Sequence, residues 1–157
     1  VRLEVAVIYA TRKPWVPTRK QIARWVRAAV GGRRGAWSLG LRIVGRAEGR
    51  RVNRQFRRRD RPTNVLSFNA TVRAADGRRL LGDLVVCAPV VAREAREQRK
   101  TRAAHWAHMI VHGTLHLRGY DHQRDADARR MERRERSVLA ALGFADPYEV
   151  THQARHG

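Results

Sequence analysis

Five of the seven histidines of this 157-residue chain fall between His105 and His122, in the stretch HWAHMIVHGTLHLRGYDH. On a helix, His112 and His116 stand one turn apart with an offset of ~40°, so both imidazoles project from one face at metal-ligand spacing. Gly119 permits the backbone to turn, and His122 then folds back toward the same point. Three nitrogens would hold one divalent ion, with zinc the expected metal. A fourth position would stay open to water, as in catalytic rather than closed structural zinc sites. His108 lies one turn before His112 but two turns from His116, too far for those two to share an ion, so it is read as a support behind the ligands or as a core residue. His105 is read as surface or packing. Asp121, next to His122, either orients a histidine or accepts backbone bonds in the turn.

The spacing H-x3-H-x2-G-x2-H is also that of the metzincin proteases, but Gly113 stands where their general-base Glu would be. That substitution argues against peptide hydrolysis. The charge points to a different substrate: 34 Lys and Arg against 14 Asp and Glu give a formal +20. Such a field attracts polyanions, and phosphate neutralisation dominates protein binding to nucleic acids. Only Lys13, Lys20 and Lys100 are lysines. A coding bias can explain arginine in place of lysine, but not the shortage of carboxylates.

The elements that must position these residues are legible from periodicity. Leu3, Val5 and Val7 alternate with Glu4 and Ala6 as a first strand. Thr18 and Gln21 have capping-box spacing ahead of Ile22, Trp25, Val26 and Ala29, and Gly31-Gly32 ends that helix. Trp37 to Ile43 alternates as a second strand. A short helix is expected from about Arg46 to Arg57, with Ala47, Val52 and Phe56 as its apolar contacts. Val65 to Phe68 and Leu81 to Cys87 read as neighbouring strands joined through a turn at Asp76-Gly77, with Asp83 as a cap or turn residue. Pro89 opens a helix that runs to about Gln98. Further helices are expected over Thr101 to Leu117 and Asp125 to Leu142, the latter turning Met131, Val138, Leu139 and Leu142 inward before Gly143.

Length and composition fit one domain, residues 1–150, followed by a frayed tail at 151–157. Helices and strands mix along the chain, so the class is α+β or α/β, and periodicity does not order the strands. The longest apolar run, Leu84 to Ala92, contains Pro89, against ~20 residues for a membrane helix. The amino-terminal segment lacks the layout of a signal peptide, which places the protein in the cytoplasm. A single cysteine, Cys87, lies in an apolar run and is read as a buried thiol.

Three blocks, NRQFRRRDRPTNVLSF from Asn53, LGDLVVC from Leu81 and the histidine stretch, together resemble the YbeY family of bacterial endoribonucleases, or ribosomal-RNA maturation factors. Met131, Glu132, Glu135 and Asp146-Pro147-Tyr148 also resemble the family's ending. The resemblance implies an α+β domain of αβα layers, with a small mixed sheet covered by helices. The metal would sit on a helix of the carboxy-terminal half and the turn after it, held by His112, His116 and His122. It implies that Arg57 is the functional arginine beside the metal, a bidentate donor to phosphate. Arg54, Arg58, Arg59 and Arg61 are the neighbouring candidates for RNA contacts. Asn64, where many members have Asp, and Arg118, where Leu is common, depart from the pattern.

The function implied is a zinc-dependent, single-strand-specific endoribonuclease acting in 16S ribosomal RNA 3′-end processing and ribosome quality control. Its partners would be precursor RNA, the ribosome and ribosomal proteins, with no membrane and no nucleotide cofactor. Two other classes stay open: an RNA- or ribosome-binding assembly factor with a structural metal, and the metalloprotease that Gly113 disfavours. The attacking group, water or the RNA 2′-hydroxyl, is not decided by the residues.

Overall fold

A computed structural model describes residues 2–57, 64–70, 77–120 and 123–148. In chain order the elements are β1 (Arg2–Tyr9), α1 (Arg19–Val30), β2 (Ala36–Val44), α2 (Arg46–Arg57), β3 (Val65–Asn69), β4 (Arg79–Cys87), α3 (Ala88–Glu97), α4 (Arg102–Leu117) and α5 (Asp125–Ala141). The capping box expected at α1 forms in both directions between Thr18 and Gln21. Thr101 caps α4 by accepting the Ala104 N–H at 3.1 Å, so the helix body starts one residue later than the periodicity predicts. Gly119 takes φ +102, a conformation L side chains rarely adopt, and the chain turns there.

The sheet order is β1-β2-β4-β3, with β1, β2 and β4 parallel and β3 antiparallel to β4. The mixed α+β class is therefore the observed one. Leu39, Leu41 and Ile43 of β2 and Leu84 and Val86 of β4 turn one face of the sheet toward α1, α4 and α5, forming the main core. On the other face, Val44, Val85 and Cys87 meet Val90 in a smaller cluster. There α2 lies against the sheet, with Arg42 of β2 ion-paired to Glu48 of α2. No helix among the described residues is long and apolar enough to cross a membrane.

Two local readings need correction. Ala47 is exposed, and the inward side of α2 carries Gly49 and Asn53 instead. A polar Asn at a buried position hides the inward side from any apolar count. Asp83 is not a turn residue: it lies inside β4, in register with Gly40 on one side and Phe68 on the other. Cys87 is buried as expected, its thiol raised above its ordinary value by burial.

Helix α4 is buried along most of its length, from His105 to Leu117. It can approach the sheet because residue 113 has no side chain. A Cβ there would stand 2.9 Å from Leu84 Cδ2 and 3.2 Å from Val65 Cγ2. Leu84 is fully buried and cannot swing aside. Gly113→Val should therefore destabilise the fold by ~1–3 kcal/mol through overpacking, read as a lower urea midpoint at unchanged slope. An unchanged midpoint would contradict the close helix–sheet contact.

Candidate metal centre and its supports

The buried helix α4 carries His112 and His116 on one side, one turn apart, and each imidazole is held through Nδ1. His116 Nδ1–H donates to the Tyr120 carbonyl at 3.0 Å, a contact made possible by the Gly119 turn. A carbonyl only accepts, so the proton must be on Nδ1. His112 Nδ1 forms a short hydrogen bond with Glu135 Oε1. The His112 side chain keeps 30% of its exposure while the Glu135 side chain keeps none, so a buried carboxylate props an accessible ring.

Glu135 is the organising group. Burial would raise its pKa, but the hydrogen bonds from His108, His112 and the Tyr148 hydroxyl outweigh it and bring the group down to about 2. Glu135 is therefore an acceptor at neutral pH, and His112, like His116, carries its proton on Nδ1. Each ring would then ligate through Nε2. This is the tautomer metal ligation demands, with a carboxylate or carbonyl behind each imidazole. The donor set therefore fits a divalent ion such as zinc. His108 Nε2 lies 3.5 Å from Glu135 Oε2, behind His112, and burial lowers its pKa against the pull of that carboxylate. Tyr148 donates its hydroxyl to Glu135 Oε2, and its own pKa is raised by burial and by that bond. Asp146 accepts from the Tyr148 N–H at 2.9 Å and pairs with Arg136, which fixes the segment that delivers the tyrosine.

The remaining expected site residues divide by position. His122 and Asp121, and with them Arg58, Arg59 and Arg61, lie outside the described residues. Among the described residues no group of three or more His, Cys, Asp or Glu is gathered to hold a metal. Arg57 is the last residue of α2, and Arg54 is exposed on that helix. Ser67 donates to the Gly113 carbonyl at 3.5 Å, tying β3 to α4 beside His112. The metzincin reading loses its general base for a spatial reason: residue 113 faces Leu84 and Val65, and a Glu there would enter the sheet.

Sequence reasoning assigned no role to Glu135, although a signal existed. It stands four residues after Met131 and four before Leu139, in the middle of the apolar stripe of α5, where a carboxylate must find partners. A second network, also missed, joins Asn64, Glu94 and His105. The Asn64 amide donates to Glu94 Oε1 at 3.1 Å, and His105 Nε2 lies 2.9 Å from the same oxygen. His105 is fully buried, which settles its packing role. An Asp in place of Asn64 would set two carboxylates against each other here.

Burial opposes ionisation of Glu94, but the bonds from His105 and Asn64 hold it below its ordinary value of 4.5. A depressed carboxylate contributes stability that is complete above 4.5 and is lost as pH falls through the folded value. Glu94→Gln should destabilise by about 1–3 kcal/mol at neutral pH, with the difference shrinking as the pH is lowered through and below that range. Denaturation curves over that range test it, and a pH-independent difference would contradict the network.

Known proteins match most of the chain. The family described as Endoribonuclease YbeY matches residues 11–143. A protein named Endoribonuclease YbeY from Alkalilimnicola ehrlichii is 52% identical over 155 residues, covering 96% of this chain and 93% of its own length. One of the same name from Xanthomonas axonopodis pv. citri is 49% identical and covers 97% of both chains. A solution structure from Thermotoga maritima, 24% identical, superposes with a TM-score of 0.58 over 88% of this chain and 91% of the other, a likeness of fold.

Proposed function

This chain belongs to the endoribonuclease YbeY family, and we propose that it is a zinc-dependent endoribonuclease that cuts single-stranded RNA. Its place is the maturation of ribosomal RNA, at the 3′ end of 16S RNA, and ribosome quality control, in the cytoplasm and on the ribosome with its proteins. The observation that carries the zinc reading is the paired support of His112 by Glu135 and of His116 by Tyr120. Both rings are fixed in position and tautomer before any ligand arrives, and His122 is the third ligand.

Zinc, when bound, supplies Lewis-acid stabilisation of the charge that develops on the phosphate oxygens. The chain's own residues do the rest. Glu135 holds the His112 ring and strengthens it as a donor, with His108 and Tyr148 keeping the carboxylate in place. Arg57 offers a planar, permanently charged fork to the scissile phosphate, and Arg54, Arg58, Arg59 and Arg61 contact the flanking backbone. The formal +20 gathers the polyanion and makes binding salt-dependent.

Metal content and cleavage of a defined RNA test this together. The purified chain should carry about one zinc per molecule, lose cleavage on chelation and regain it with zinc. His116→Ala should lose the metal and the activity. Arg57→Ala should keep the metal and RNA binding while cutting ~100-fold or more slowly. Cleavage by a pure, metal-free chain would sink the zinc reading. RNA binding without cleavage under any metal loading would make the protein an assembly factor.

The support behind His112 has its own measurement. Glu135→Gln should weaken zinc affinity ~10–100-fold in competition with a chromophoric chelator. Wild-type affinity in a folded Glu135→Gln variant would remove the carboxylate from the metal's support.

A further inference from the structure

Arg118 lies ~200° around the helix from His116, on the side of the α4 terminus turned away from it. Its guanidinium Nη1 donates to the Ala29 carbonyl at 2.8 Å, at the negative end of α1. Arg33, from the chain after α1, donates to the Arg118 carbonyl at 3.4 Å. Arg134 of α5 arrives from a third element. Its Nη2 and the Nη1 of Arg118 lie 3.4 and 3.8 Å from the point where a Cβ on Gly31 would stand.

Arg118 thus has a second guanidinium, that of Arg134, close to its own, and Arg33 at its backbone carbonyl. Among the described residues none of the three forms an ion pair with a carboxylate, and the buried Nε atoms of Arg118 and Arg134 have no hydrogen-bond partner. Burial, together with the charges of Arg33 and Arg134, pushes the Arg118 guanidinium below its ordinary value, yet arginine keeps its proton at neutral pH. Beside the cluster is an open cavity of about 320 Å³ lined by Arg118, Gly119, Tyr120, Asp127 and Arg130. Asp127, in the first turn of α5, brings the cavity's one described carboxylate, set against two arginines.

We propose that the Arg33–Arg118–Arg134 cluster and the cavity beside it form a second anion site, which holds a phosphodiester group of the RNA strand beyond the metal cleft. The proposal rests on the RNA reading above. The chemistry matches: crowded guanidiniums with unused donors need an anion with several acceptor oxygens, and an arginine fork fits phosphate. Tyr120 joins the two sites, since its carbonyl holds His116 while its ring lies 5.6 Å beneath the Arg118 guanidinium. A strand crossing the Gly119 turn from the metal would meet Arg118 next.

Salt-dependent binding separates the possibilities. A fluorescein-labelled single-stranded RNA is titrated with zinc-loaded protein at several KCl concentrations, using wild type, Arg118→Leu, Arg134→Gln and Arg96→Gln. Arg96 is exposed on α3, and its variant removes one charge elsewhere. Both cluster variants should bind several-fold more weakly at low salt, with the logarithmic salt slope reduced by ~0.7 for each lost phosphate contact. Arg96→Gln should keep the wild-type slope. If the cluster variants, folded by circular dichroism, match Arg96→Gln in affinity and slope, the second site is overturned while the RNA reading stands. If wild type binds RNA without salt dependence, or not at all, the RNA reading itself fails. Arg134→Gln gives an answer even if Arg118→Leu does not fold.

Discussion

A carboxylate removed from water must be hydrogen-bonded on nearly all sides, and Glu135 meets that requirement only when three parts of the chain are in place together. Helix α4 brings His108 and His112, α5 brings the carboxylate itself, and the segment after α5 brings Tyr148. The seam between α4 and α5 is therefore specified by polar geometry as well as by apolar contact. Sliding either helix by one turn would leave an ionised group buried without partners, a far larger cost than a misfit between two leucines. The same constraint fixes the ring of His112, so the demands of folding and of the proposed metal centre fall on one set of atoms.

Helix α4 serves two opposed purposes. Among the described residues it is the most buried helix, yet it turns two imidazoles to an open side. The chain resolves this by dividing the helix by face. Ile110, Gly113, Thr114 and Leu117 are turned inward, and Gly113 lets the backbone come so close to Leu84 that the histidine side has room. Thr114 satisfies its hydroxyl within the helix by donating to the Ile110 carbonyl at 2.8 Å.

Most of the fold was legible because local chemistry fixes it. Capping by Thr18, the stop at Gly119 and the strand alternations each follow from a few adjacent residues. The strand order was not legible, since a period of two says which face is buried and nothing about which strand lies alongside. At the site, the paired placement of His112 and His116 followed from helical spacing, and the turn from Gly119. The carboxylate behind His112 did not, because Glu135 reaches that ring from 23 residues away. Asn64 was noticed as a departure but could not be explained until Glu94 was found beside it. Arg57 owes its selection from a run of arginines to family resemblance alone, as charge counting cannot tell one guanidinium from the next.

The tie from Tyr148 to Glu135 also sets an order in time. The chain is made from its amino terminus, so the histidines of α4 exist before α5, and α5 before Tyr148. Until that last tyrosine has emerged, Glu135 lacks one of its three partners and the α4–α5 seam is incomplete. The seam is therefore completed only after Tyr148 has emerged, and a nascent chain presents His112, of the proposed metal site, before it can hold that ring in its final geometry.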